Sequence, residues 1–276
     1  MRHVRPMLGK RPQHSVYRAL RARMANDDNY RCIGCKLTFV VEPARCPDCK
    51  CTAFAKIDKP PLPARDRATW IQTFTGRQYW PLNPSPDDVR VEDIAHHLGN
   101  ICRFSGACRR YYSVAEHSVH VSHVVDAATM YDADDNRLLV LAALLHDAEE
   151  YVPPHDVARP VKYAPECAFL REVGERNKKA IWAALEMPDV PDPLGLIKQA
   201  DNAMLLAEQE TLMHAPPAEW APVDVAPELL ELARYRMKLG NEHGVGPAGG
   251  AIPAAAGRAF LIRYRELTSF REGVDY

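Results

Sequence analysis

Leu138-Leu139-Val140-Leu141-Ala142-Ala143-Leu144-Leu145-His146-Asp147 sets a charged doublet at the end of an unbroken apolar run. Eight consecutive apolar residues leave a helix without a polar face, so this segment is expected to run through a core. It ends on an imidazole and a carboxylate, a costly pair to bury unless a partner neutralises them. A divalent metal is the simplest such partner. Its other ligands must then come from elsewhere in the chain.

The same logic finds two more candidates. Ser113-Val114-Ala115-Glu116-His117 reads as a helix start, with Ser113 and Glu116 at capping-box spacing. At 3.6 residues per turn, His117 shares a face with Val114, Val121, Val124 and Ala128. Further on, Asp201 falls on the same side of a predicted helix as Leu194, Ile197, Met204, Leu205 and Leu212. Taken alone, His117 is more simply read as a core histidine bonded to backbone, and Asp201 as a cap or an ion-pair partner. The order His, His-Asp, Asp in one chain favours a metal.

That order, His117 … His146-Asp147 … Asp201, resembles the HD-domain phosphohydrolases. The likeness is most specific over residues 70–210. Ile101-Cys102-Arg103-Phe104, Tyr112-Ser113-Val114-Ala115-Glu116-His117-Ser118 and Leu144-Leu145-His146-Asp147-Ala148-Glu149-Glu150 are similar to the bacterial 5′-deoxynucleotidases. Thr73-Phe74-Thr75-Gly76-Arg77 with Asp93-Ile94-Ala95-His96 looks more like phage-encoded relatives, some of them dATP triphosphohydrolases. The resemblance implies an all-α HD-domain helical bundle that holds a divalent metal with His117, His146, Asp147 and Asp201. It also implies catalytic roles for Asp147 and Glu150.

The donor types agree with that implication. Two imidazoles and two carboxylates suit Mn, Co, Fe or Zn without selecting among them, and Mg is a further candidate. Four protein ligands leave positions for water and a phosphate oxygen. Glu150 follows His146 by four residues, so it projects from the same face if the helix continues that far. Glu149 is turned away and reads as a surface residue. Arg103 matches a phosphate- or sugar-directed arginine of the deoxynucleotidases, whose next residue is Trp where this chain has Phe104. Asp156 and Lys162 match an Asp and a Lys of the segment after the HD helix, with the usual Gly-Asp-Leu-Pro replaced by His155-Asp156-Val157-Ala158. Arg77, Arg109 and Arg110 are candidates for the outer phosphates of a triphosphate, with a plain surface arginine as the default reading of each. The preferred activity is triphosphohydrolysis of a deoxynucleoside triphosphate; hydrolysis of a monophosphate is the alternative.

Cys32-x2-Cys35 and Cys46-x2-Cys49 form a second signal, two knuckles ten residues apart. Four thiolates at this spacing can converge on one structural zinc. The surrounding residues resemble rubredoxin-like zinc ribbons. Met1-Arg2-His3-Val4 shows no signal peptide, so a reducing cytoplasm, bacterial or phage-infected, is expected and disulfides are disfavoured.

Charge is unevenly spread. Residues 1–65 carry 14 Lys and Arg against 5 Asp and Glu, whereas the rest carries 21 against 31. A basic arm of this kind attracts phosphate, so a nucleic-acid-binding protein with a nucleotide-sensing HD fold is the rival class. The arm could equally dock on an acidic neighbouring subunit, which makes a homo-oligomer the expected assembly. No run approaches the ~18 apolar residues of a membrane span. The expected organisation is a basic arm at 1–29, helical over Ser15–Ala25, a zinc ribbon at 30–58 with a strand at Leu37–Val41, a Pro-rich linker at 59–65, and the HD domain at 66–276. Helices are expected near 92–101, 113–131, 134–150, 166–186, 194–214, 226–240 and 256–270, with a substrate-side loop at Trp80–Pro86 and a flexible connection at Gly244–Gly250.

Overall fold

Helical periodicity dominates the computed structural model, which describes residues 29–32, 38–39, 45, 50, 52, 54–57, 61–129, 133–192, 194–239 and 252–269. The chain divides into two units, Met1–Leu62 and Pro63–Tyr276. In the first, β1 (Asn29–Cys32) is the central strand of an antiparallel sheet between β2 (Thr38–Phe39) and β3 (Phe54–Ile57). Cys32 ends β1 and pairs in register with Phe54. Cys35, Cys46 and Cys49, the helix expected over 15–25 and the Gly244–Gly250 connection lie outside the described residues.

The second unit begins with a hairpin, β4 (Ile71–Gln72) and β5 (Gln78–Tyr79), which the sequence reading did not foresee. Eight α-helices follow among the described residues: α1 (Val91–Asn100), α2 (Val114–Ala128), α3 (Ala133–Leu144), the short α4 (Arg159–Lys162), α5 (Ala168–Ala184), α6 (Leu196–Leu212), α7 (Pro227–Leu239) and α8 (Pro253–Thr268). None is long and apolar enough to cross a membrane.

The second unit is a helical bundle with α2 at its centre. Residues 114–122, Val124 and Val125 are all buried, because α1, α3, α6, α7 and α8 surround the helix. Ser113 starts it by accepting the Glu116 N–H at 3.1 Å, while the Glu116 carboxylate pairs with Arg110 at 3.0 Å. Asp192 caps α6 with both carboxylate oxygens, accepting from Leu196 N–H at 2.7 Å and Ile197 N–H at 3.1 Å. The backbones of α1 and α8 touch. A Cβ on Gly99 would lie 2.6 Å from the Pro253 carbonyl oxygen, and one on Gly257 would lie 2.8 Å from that of Ala95. Only hydrogen fits at either position.

The apolar run does enter the core, with Val140 through Leu145 buried. The helix is shorter than expected, however. It ends at Leu144, a turn carries His146 and Asp147, and Ala148–Tyr151 forms a 3₁₀ turn. The His146 side chain supplies the reason: its Nδ1–H donates to the Ala143 carbonyl at 2.8 Å, satisfying an acceptor that helix continuation would otherwise use. The loop expected on the substrate side is held against α5. Asn177, itself buried, donates to Pro81 O at 2.9 Å and accepts from the Tyr79 hydroxyl at 2.6 Å, and Arg176 donates to Leu82 O at 3.0 Å.

Candidate metal centre

Three elements bring the predicted ligands to one point. The first turn of α2 presents His117, the turn after α3 presents His146 and Asp147, and the first half of α6 presents Asp201. Ligand atoms of His117, His146 and Asp201 all lie within 4.8 Å of one another. His117 Nε2 is 3.3 Å from Asp201 Oδ1. Asp147 Oδ2 joins them, 3.1 Å from His146 Nε2 and 4.0 Å from His117 Nε2.

Both imidazoles face the cluster with the same nitrogen. His117 gives its Nδ1–H to Glu208 at 2.5 Å, and His146 gives its own to Ala143 O. Each Nε2 is buried, close to carboxylates, yet in no well-directed hydrogen bond. Nitrogen lone pairs converging with carboxylate oxygens, and no donor aimed at either nitrogen, fit a cation better than a hydrogen-bonded core.

The electrostatics agree. Burial alone would raise Asp147, but the adjoining His146 holds it well below the usual carboxylate range. Asp201 is likewise raised by burial and lowered further by the neighbouring His117, His146 and Lys198. Burial would lower His146, yet Asp147 and Asp201 raise it to about 9. The cluster thus attracts positive charge, as a proton on His146 or as a metal in its place.

The flanks hold several expected residues. The Arg103 guanidinium, buried, lies 3.2 Å from Glu208 Oε2 and 3.9 Å from Asp147 Oδ2. Phe104 follows in a left-handed backbone, φ 55°, a strained conformation for a bulky residue, and its ring packs 6.2 Å from that of Trp220. Glu150 is buried, and Lys162 donates to it at 3.2 Å. Burial and the Asp147 charge raise Glu150 well above the ordinary value, against the pull of Lys162. Asp156 is half-buried, and its charge acts on both Arg103 and Glu150.

Other expectations are corrected. Glu149 is half-buried rather than on the surface, and burial raises it to about 7 despite Lys178 nearby. Arg77 is exposed in the β4–β5 hairpin, as its surface reading expected. Arg109 donates to the Thr211 carbonyl and Arg110 to the Glu116 carboxylate, so both have structural partners. The two strings that look phage-like do meet. Asp93 accepts from Thr75 N–H at 2.7 Å and its hydroxyl at 2.9 Å, His97 Nε2 accepts the Phe74 N–H at 3.0 Å, and Phe74 stacks on His96 at 3.7 Å. They line a cavity of about 420 Å³ with His155.

Sequence reasoning missed Glu208, Tyr112, Arg159 and Trp220. Glu208 is seven residues after Asp201, two turns along α6 on the same face, and that spacing was the available signal. Arg159 donates to Asp201 at 3.2 Å and to Asn202 at 2.9 Å.

No protein-family model matches the sequence. The chain is similar to the uncharacterized protein YfdR of Escherichia coli (strain K12), 29% identical over 208 residues, which are 74% of this chain and 98% of that protein. It is also 38% identical over 149 residues to the uncharacterized protein RCAP_rcc00048 of Rhodobacter capsulatus. That match covers 52% of this chain and 74% of the relative, and the chain belongs to the family of RCAP_rcc00048.

Proposed function

We propose that this chain is a metal-dependent phosphohydrolase of the HD-domain type, acting on deoxynucleotides. The preferred reaction is hydrolysis of a deoxynucleoside triphosphate at the α-phosphorus, releasing the deoxynucleoside and triphosphate. The observation that carries this reading is the convergence of His117, His146 and Asp201, with Asp147 Oδ2 3.1 Å from His146 Nε2 and the Arg103 guanidinium beside them. The metal that these four side chains would hold supplies Lewis acidity to a phosphoryl oxygen and lowers the pKa of water.

The remaining chemistry belongs to the protein. Arg103 presents a planar fork suited to phosphate oxygens. Glu150, whose carboxyl is raised by burial, holds a proton near the cluster and can pass it to the leaving oxygen, with Lys162 fixing its orientation. Phe104 and Trp220 offer apolar walls beside Arg103. In the N-terminal unit, Cys32, Cys35, Cys46 and Cys49 would hold a structural zinc, and the basic arm gives a secondary affinity for phosphate-rich partners. A cytoplasmic homo-oligomer is the assembly that goes with this reading.

The test is product analysis by ³¹P NMR, with purified full-length protein, Mn²⁺ or Co²⁺, and separate deoxynucleoside tri- and monophosphates. Triphosphate from one substrate is expected and also names the base, dATP being the first candidate. Orthophosphate from monophosphates alone replaces this reaction with 5′-deoxynucleotidase activity. No product, together with nucleic-acid affinity that survives His146→Ala with Asp147→Ala, overturns the enzyme reading.

A further inference from the structure

We infer that Glu208 is a shared positioning residue, whose one carboxylate sets both the cation-holding and the anion-holding halves of the cluster. The inference rests on the metal-centre reading above and adds a coupling to it. Glu208 is fully buried on α6. Its Oε1 accepts from His117 Nδ1–H at 2.5 Å and from the Tyr112 hydroxyl at 2.8 Å. Its Oε2 lies 3.2 Å from Arg103 Nη2.

Both basic partners reach from Glu208 into the cluster. His117 turns its other nitrogen to Asp201, and Arg103 turns its other amino group to Asp147. A carboxylate can only accept, so the bond to Nδ1 fixes His117 in the tautomer whose Nε2 carries a lone pair. The same charge attracts the Arg103 guanidinium through Nη2 and leaves Nη1 facing Asp147. A carboxylate serving the fold alone is poorly suited to this site, because a buried ion pair is often no better than apolar packing. Here the two partners share one anion, so displacing it moves the imidazole and the guanidinium together. Tyr112 supplies the second donor to Oε1 and keeps it from rotating away.

Histidine-labelled, metal-free full-length protein gives the first readout. Long-range ¹H–¹⁵N spectra are expected to show His117 protonated at Nδ1, with that proton shifted downfield by its carboxylate partner. Protonation at Nε2 alone overturns the inference, whether or not a metal binds. The second readout compares wild type, Glu208→Gln and Tyr112→Phe. Co²⁺ is titrated by its visible absorption, then inorganic phosphate by calorimetry at saturating Co²⁺. Glu208→Gln is expected to weaken Co²⁺ about 10–100-fold and to weaken phosphate as well. Tyr112→Phe, which keeps the charge and is the safer fold, is expected to weaken both in the same direction by less. Loss confined to one ligand, or affinities equal to wild type in both variants, overturns the shared role. A wild-type chain that takes up no Co²⁺ fails the metal reading itself, a result distinct from equal affinities across the three proteins.

Discussion

The first two turns of α2 each bury a histidine, and the two have opposite surroundings. His117 has Glu208 on one nitrogen and Asp201 and Asp147 near the other. His120, one turn on, stacks on Tyr112 with ring centroids 6.4 Å apart, and its Nδ1 has no hydrogen-bond partner among the described residues. Burial first, then the Arg236 charge, with lesser opposition from Glu208, pushes His120 down to about 3. Residue type, helix and depth are the same, so what separates a candidate ligand from a core residue is the set of side chains delivered by other elements.

The largest expected effect breaks this comparison directly. His117→Ala is expected to abolish Co²⁺ uptake and hydrolysis, while His120→Gln retains both, as measured by metal titration and product release. Equal losses in the two variants would erase the distinction. Next in size is Glu150→Gln, expected to lower the hydrolytic rate about 10²–10⁴-fold with Co²⁺ affinity kept near wild type, which separates proton transfer from metal holding.

The smallest effect concerns acid stability and sharpens the His120 side. An unfolded histidine titrates near 6.5, and His120 in the folded chain near 3. Between those values the unfolded state binds the extra proton. The stability contributed by neutral His120 is therefore complete above pH 6.5 and is lost as pH falls toward 3, by up to about 1.4 kcal/mol per pH unit. Urea midpoints for wild type and His120→Gln across pH 4–7 should diverge in slope, with the variant less pH-sensitive. Parallel curves would place the acid sensitivity elsewhere, for instance in Asp201 and Glu208, whose depressed values also cost stability on acidification.

Much of the centre was legible because its residues violate their local pattern: an ionisable doublet closing an apolar run, and a histidine and an aspartate on apolar stripes. The helix boundaries followed from caps and periodicity, as at Ser113 and α2. What escaped was set by tertiary partners. The early end of α3 depends on a side chain bonding back to Ala143. Glu208 looks like an ordinary helical glutamate until Tyr112, His117 and Arg103 arrive from far away in sequence. The hairpin depends on Asp93 and His97, whose bonds to Thr75 and Phe74 substitute for the short ladder's own weak pairing. Arg77, a phosphate candidate by motif and a surface arginine by default, is exposed in the hairpin.

The glycine contact between α1 and α8 has a consequence for synthesis. Gly99 and Gly257 are about 160 residues apart, yet each helix is the other's closest wall. At roughly 5–20 residues per second, a ribosome needs on the order of ten to thirty seconds to make the stretch between them. The α8-facing side of α1 stays uncovered during that time, and truncation within α8 should leave the same side exposed, as a nascent-like, chaperone-binding product.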